Sequence, residues 1–457
     1  MKSKVNDYKQ FYFIGIGGIG MSALARYFKV LGKKVCGYDK TPTELTEALS
    51  SEGCTIHFED SIKKIPKSFL NEKDTLVVYT PAIPEEHNEL NFFKTNGFTV
   101  LKRSEALGLI TRFSKSLCVA GTHGKTTTSA MLAHVLNESS LKCTAFLGGI
   151  SSNFNSNVLI NKNSEWTVIE ADEFDRSFLH LSPFSSIITS LDPDHLDVYG
   201  DEKQFNEGFR QYAMKIDPSG WCISKEGVQL HTLAKFSTFS IDSQTADYSA
   251  NDISYESGMM TFYVNSKKFC LGIPGIHNVL NALSCIALLE KIGLSYQEIK
   301  QGLASFKGVR RRFDIQIKTD QLVYIDDYAH HPEELRLLID SIKMMFPDRE
   351  VTGIFQPHLY SRTKDFGIEF SEQLSRFDEL YLLPIYAARE KEIIGISSDW
   401  LLSKIDVKKK RVAEATEVLE LMKNTTDGIV LTIGAGDIDK IVSPLRDILH
   451  ENIDVQL

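Results

Sequence analysis

Long apolar runs are missing from this 457-residue chain. None approaches the roughly 20 residues that a membrane-spanning helix needs, so no membrane partner is expected. The N-terminus, Met1-Lys2-Ser3-Lys4-Val5-Asn6-Asp7-Tyr8, lacks an apolar stretch of the signal-peptide kind. Cysteine is sparse. The seven residues, Cys36, Cys54, Cys118, Cys143, Cys222, Cys270 and Cys285, are odd in number, scattered, and never spaced C-x-x-C. That excludes a disulfide framework and predicts reduced structural thiols in a cytoplasmic protein. Positive charge is in deficit: 51 Lys and Arg face 60 Asp and Glu, for a net charge of −9. Such a balance argues against a nucleic-acid partner. An anionic substrate then needs a locally positive site.

What is present is ordinary globular composition, 42% hydrophobic and 24% charged. The length predicts about three domains. Boundaries are expected near Ser114 and Lys318, giving residues 1–113, 114–317 and 318–457. Alternation of apolar strands with helical patterns predicts an α/β fold with mostly parallel sheets.

One stretch organises the chain: Gly121-Thr122-His123-Gly124-Lys125-Thr126-Thr127-Thr128. The apolar run Leu117–Ala120 leads in, and a helical pattern from Ser129 to Asn137 leads out. Strand, glycine loop, Lys, Thr and helix together describe a phosphate-binding loop. Its backbone N–H groups and helix N-terminus attract phosphate, Lys125 reaches a terminal phosphate, and Thr126 offers a hydroxyl to Mg²⁺. The glycine spacing is one residue shorter than the usual pattern.

The first third has the layout of a dinucleotide-type half-fold. The strand Phe11–Ile14 runs into Gly15-Ile16-Gly17-Gly18-Ile19-Gly20, followed by a helix from Met21 to Leu31. The strand Lys34–Tyr38 ends at Asp39, where such folds place an acid for a ribose hydroxyl. The turn recognises a pyrophosphate, so NAD and other nucleotide diphosphates both fit it. Strands at Thr75–Tyr79 and Thr99–Leu101 follow, the latter running into Lys102 and Arg103. Arg103 suits an anionic ligand, or else a surface ion pair with Glu105.

In the middle third, the strand Trp166–Ile169 runs directly into Glu170-Ala171-Asp172-Glu173. A carboxylate there is placed to hold Mg²⁺, which prefers oxygen ligands. The strand Ser186–Ser190 ends in Leu191-Asp192-Pro193-Asp194-His195-Leu196-Asp197, where His195 among three Asp suggests a second metal site. Trp221 to Lys268 reads as short strands and turns. A helix from Ile273 to Leu289 carries Asn278 and Asn281, which either read an adenine edge or cap the helix. Arg310-Arg311-Arg312 either clamps phosphates or is a solvated loop.

The last third is a second α/β unit. Strands at Leu322–Ile325, Val351–Phe355, Leu380–Pro384 and Gly428–Ile433 each end in a polar or glycine-rich loop, the edge where open α/β sheets bind ligands. By composition the Asp/His group at 326–331 suits a metal, a nucleotide-sugar contact or a structural turn.

The ordered set GIGGIGMSALA, GTHGKTTT, EADEFDRSFL, DPDHLDVYG, GIHNVLNA, FKGVRRRFD, DDYAHHP, QPHLYSRT and GAGD, spanning Phe11 to Asp437, resembles the Mur ligase family of bacterial cell-wall enzymes. The resemblance implies a Rossmann-like UDP-sugar domain, a central P-loop ATPase domain and a Rossmann-like C-terminal domain. It implies ATP- and Mg²⁺-dependent joining of L-alanine to the lactyl carboxylate of UDP-N-acetylmuramate through an acyl phosphate, by a cytoplasmic monomer or homodimer. By the same resemblance, Lys125, Glu170 and His195 are catalytic, and Thr126, Glu170 and His195 hold metal. ATP is bound by Gly121, Thr122, His123, Gly124, Lys125, Thr126, Thr127, Asn278, Arg310 and Asp327. The UDP-sugar is bound by Gly15, Gly17, Gly18, Ile19, Gly20, Asp39 and Arg103, and the amino acid by Tyr328, His330 and Arg362.

The chain departs from the family pattern at Leu359, where many relatives have Arg, so that Arg362 is left to hold the alanine carboxylate. It departs also at Ala387 (commonly Pro) and Ala329 (Gly). No counterpart of the carbamylated Lys of several relatives is identified after His195. The rival within the family is the ligase that recycles a cell-wall tripeptide onto the same sugar. An NAD-dependent dehydrogenase would leave GTHGKTTT without a role, and a nonenzymatic regulator would not need Lys125, Thr126, Glu170 and His195 intact.

Overall fold

The structure is a computed structural model and describes residues 7–192, 196–256, 258–388 and 390–454. His195 and its neighbours Pro193 and Asp194 lie outside the described residues. Two compact units are formed. The first comprises Met1–Ile253, Thr261–Gly272 and Val279–Lys307, the second Ser254–Met260, Ile273–Asn278 and Gly308–Leu457.

Three sheets build the three domains. In the first, five parallel strands lie in the order Thr55–His57, Lys34–Tyr38, Gln10–Ile14, Thr75–Tyr79 and Thr99–Lys102. The central strand is wholly buried because helices cover both faces, which is why its sequence is a continuous apolar run and does not alternate. The chain reverses direction across the sheet between Gln10–Ile14 and Thr75–Tyr79, so a ligand crevice opens at the carboxyl end of Gln10–Ile14.

In the second sheet, of ten strands, Lys115–Ala120 lies between Trp166–Glu170 and Ser185–Ile188, parallel to both. Three strand ends therefore meet around one loop. The helix leaving that loop begins at Lys125, four residues earlier than the sequence pattern places it, so Thr126, Thr127 and Thr128 form its first turn. The stretch around Gly148 forms a strand, Thr144–Ser151, which the sequence reading did not assign. Its two glycines hide the strand signal.

The third sheet has six strands, with Asp314–Lys318 antiparallel at one edge and the rest parallel. Gly428–Ile433, last in sequence, inserts between Leu322–Asp327 and Val351–Phe355. All seven cysteines are free, and six are buried. No helix among the described residues is long and apolar enough to cross a membrane.

Candidate active site

The glycine loop is shaped by its neighbours. Gly124 has φ +80°, a left-handed conformation that a side chain disfavours, and a Cβ there would stand 2.6 Å from Asn281 Oδ1. The Thr122 N–H donates to Ser190 O at 3.2 Å and the His123 N–H to Ser190 Oγ at 3.1 Å. Thr122 Oγ1 donates to Asp192 O at 2.6 Å. The loop is thus buttressed by the next strand's end. The Thr128 N–H makes the first helical bond, to Gly124 O at 2.9 Å, while the amides of Lys125, Thr126 and Thr127 precede any intrahelical acceptor, as at any helix start, and point to an anion cradle.

Lys125 Nζ donates to Gly121 O at 2.7 Å, Thr122 O at 3.1 Å and Glu173 Oε1 at 2.9 Å. Burial alone would lower its ammonium pKa; Glu173, Asp172 and Glu170 together hold it above the usual value. Glu173 is 1% exposed, and burial raises its carboxyl pKa against the pull of Lys125. The sequence reading passed over Glu173. Its only signal was a third carboxylate in the run after the strand.

Thr126 Oγ1 donates to Glu170 Oε1 at 3.0 Å. The Gly148 N–H donates to Glu170 Oε2 at 3.0 Å, and a Cβ on Gly148 would fall 2.3 Å from Oε1. The glycine therefore makes room for the carboxylate. A hydroxyl and a carboxylate side by side form an all-oxygen donor set that suits Mg²⁺. Among the described residues no group of three or more His, Cys, Asp or Glu is arranged to hold a metal, residues 326–331 included.

The crevice at the first sheet is a cavity of about 690 Å³, lined among others by Gly15, Gly17, Gly18 and Asp39. Asp39 Oδ2 accepts from the Gly17 N–H at 2.7 Å. Ile19 and Gly20 open the helix Ile19–Val30. A Cβ on Gly20 would lie 2.6 Å from Arg103 Nη1, so the guanidinium packs on that helix start. Arg103 is not paired with Glu105, as the surface-pair reading had it. It reaches Asp172 at 3.5 Å, while Glu105 accepts from the Lys102 N–H at 2.7 Å. Lys102 Nζ pairs with Asp175 at 3.0 Å. The basic loop of the first sheet thus meets the acidic run that carries Glu170 and Glu173.

In the second unit, the Asp327 carboxylate accepts from the Phe313 N–H at 2.6 Å and the Ala329 N–H at 2.8 Å, and burial raises its pKa to about 6. Arg311 makes nearby anchoring contacts: Nε to Asp326 Oδ2 at 3.3 Å and Nη2 to Gly434 O at 2.6 Å. The Arg310 charge pulls the Asp314 carboxyl pKa down against the rise that burial causes. Arg312 stacks over the Tyr328 ring at 4.7 Å. Tyr328, His330 and Arg362 are brought together through His358, which the sequence reading did not single out. The His330 ring lies 5.4 Å from Tyr328 and 5.7 Å from His358, and Arg362 Nη1 lies 3.3 Å from His358 Nδ1. Burial lowers the His330 pKa to about 4, so it is neutral at pH 7. Asn278 Nδ2 donates to Pro274 O at 2.6 Å, a local bond at the start of its helix.

Comparison with known proteins agrees with this layout. Residues 10–115 match the Mur ligase family catalytic domain, 119–289 the Mur ligase middle domain and 311–436 the Mur ligase glutamate ligase domain. UDP-N-acetylmuramate--L-alanine ligase of Parabacteroides distasonis is 48% identical, over 98% of this chain and 99% of the relative. The enzyme of the same name from Phocaeicola vulgatus is 46% identical, over 98% and 99%. The crystal structure of UDP-N-acetylmuramate-alanine ligase from Thermotoga maritima superimposes with a TM-score of 0.80 at 28% identity, covering 98% of this chain and all of that one. Motif order, sheet topology and end-to-end similarity converge: the chain belongs to the Mur ligase family.

Proposed function

We propose that the protein is an ATP-dependent ligase that joins L-alanine to the lactyl carboxylate of UDP-N-acetylmuramate, releasing ADP and phosphate, in peptidoglycan precursor synthesis. The observation that carries the reading is the Thr126–Glu170 pair beside Lys125, in the same compact unit as the glycine-turn cavity. End-to-end relatives named for this reaction support it. A murein peptide ligase of Psychrobacter arcticus, at 21% identity, shares the fold alone. A MurF ligase of Thermotoga maritima, at 16% identity, was crystallised with ADP.

Phosphoryl transfer asks the protein for positioning and charge neutralisation. Lys125 and the first-turn amides receive the ATP phosphates. Thr126 and Glu170 would hold Mg²⁺, with His195 proposed for a second ion. When bound, Mg²⁺ offsets the charge on the transferred phosphoryl group. Gly15, Gly17, Gly18 and Gly20 take the UDP diphosphate with Arg103, and Asp39 the ribose. Asn278, Arg310 and Asp327 complete the ATP contacts, and Tyr328, His330 and Arg362 face the amino acid. Reduced, buried cysteines suit a cytoplasmic enzyme.

The test is phosphate release from ATP. It is expected only when UDP-N-acetylmuramate and L-alanine are both present. Stimulation by a cell-wall tripeptide and by no single L-amino acid would transfer the assignment to the recycling ligase.

A further inference from the structure

A lysine ammonium has three N–H donors. In Lys125 all three are engaged: two by carbonyls of its own loop, Gly121 O and Thr122 O, and the third by Glu173 Oε1. Lys125 therefore cannot bond a phosphate without giving up a present partner. The carbonyls belong to the loop that cradles the phosphate, so they stay in place. The replaceable partner is the carboxylate, an anionic oxygen 2.9 Å from Nζ, much as a phosphate oxygen would be.

Glu173 is also built into position. Its carbonyl accepts from Tyr199 Oη at 2.8 Å and from the Arg176 N–H at 2.9 Å. The Arg176 guanidinium lies over the Tyr199 ring at 5.1 Å. Asp175 and Arg176 both adopt left-handed backbone, at φ 51° and 53°, a conformation held only where the surroundings enforce it. The backbone under Glu173 is thus pinned, so an exchange of partners on Lys125 would have to move the Glu173 side chain.

We propose that Glu173 is a positioning residue that stands in for a terminal phosphate oxygen on Lys125 in the nucleotide-free enzyme, so that ATP binds by exchange against it. The proposal rests on the ATP-dependent reading above. Its consequence runs against intuition: removing a buried acid from beside the catalytic lysine tightens nucleotide binding. The bound nucleotide no longer displaces an ion pair, and the lysine charge is no longer offset before the phosphate arrives. The amide of Glu173→Gln keeps the shape and accepts a weaker hydrogen bond from the ammonium, without the acceptor's charge.

The test is calorimetric titration of ATP, in EDTA and again with Mg²⁺, into the full-length wild type and Glu173→Gln. The expected result is a Kd lower by about tenfold or more in the variant in EDTA, as for removal of one buried ion-pair partner that ATP would otherwise displace. The ATP-induced rise in Tm is expected to be larger than in wild type. Mere structural damage would move both the other way, so an equal or higher Kd overturns the proposal. Should Glu173→Gln fail to fold, Glu173→Asp draws the carboxylate back by one methylene. A severalfold lower Kd is then expected, and an unchanged one overturns the proposal. Wild type that binds UDP-N-acetylmuramate but never ATP would overturn this proposal and the ligase reading together.

Discussion

At the residue scale, the site depends on a few side chains whose charge is set by burial. Lys125→Ala is expected to abolish turnover and leave UDP-N-acetylmuramate binding within about twofold, because the glycine-turn cavity is lined by other residues. Calorimetry beside a phosphate-release assay checks the division; parallel loss of both would refute it. Glu89 makes a second residue-scale prediction. It is fully buried, accepts from Tyr12 Oη at 2.7 Å and from the Ser61 N–H at 3.2 Å, and burial raises its pKa from 4.5 to about 7. A raised folded value means that the folded state binds the proton more tightly. The stabilisation is full below the unfolded value near 4.5 and is lost as pH rises through about 7, a change on the order of 3 kcal/mol. Asp326 and Asp327, raised to about 6, act in the same direction. Urea unfolding from pH 4.5 to 7.5 is expected to show wild type losing more stability with rising pH than Glu89→Gln.

At the element scale, close approach of backbones decides what a loop can do. Gly148 sits in the strand Thr144–Ser151, where a Cβ would enter the Glu170 carboxylate. Gly148→Ala is expected to lower kcat about 10- to 100-fold by displacing that carboxylate, with Tm little changed. Steady-state kinetics and a melting curve separate this from loss of fold. The strand itself was illegible because two adjacent glycines carry no β signal; their reason is a neighbouring strand's side chain. Leu359, the departure in QPHLYSRT, caps the helix Tyr360–Asp365 at φ 68°. Leu359→Gly relieves that backbone strain and is expected to raise unfolding stability by up to about 1 kcal/mol, measured in urea.

At the scale of the whole molecule, the chain folds as two separate compact units. Ligand-driven closure is the expected consequence. Small-angle scattering should show a smaller radius of gyration when UDP-N-acetylmuramate and a nonhydrolysable ATP analogue are added together. An unchanged radius would count against closure.

The amino-acid order alone determined the family, the α/β class and most central strands, since buried parallel strands are continuous apolar runs that end at chemically marked loops. Gly121 to Thr128 and Glu170 were legible for that reason: each follows its strand directly. Only the tertiary structure decided what meets across distance. Lys125 with Glu173, Arg103 with Asp172, His358 with His330, and Arg311 on Asp326 join residues that no local spacing relates. Such pairs are set by which strand ends lie side by side, and by burial that forces each charge to find a partner.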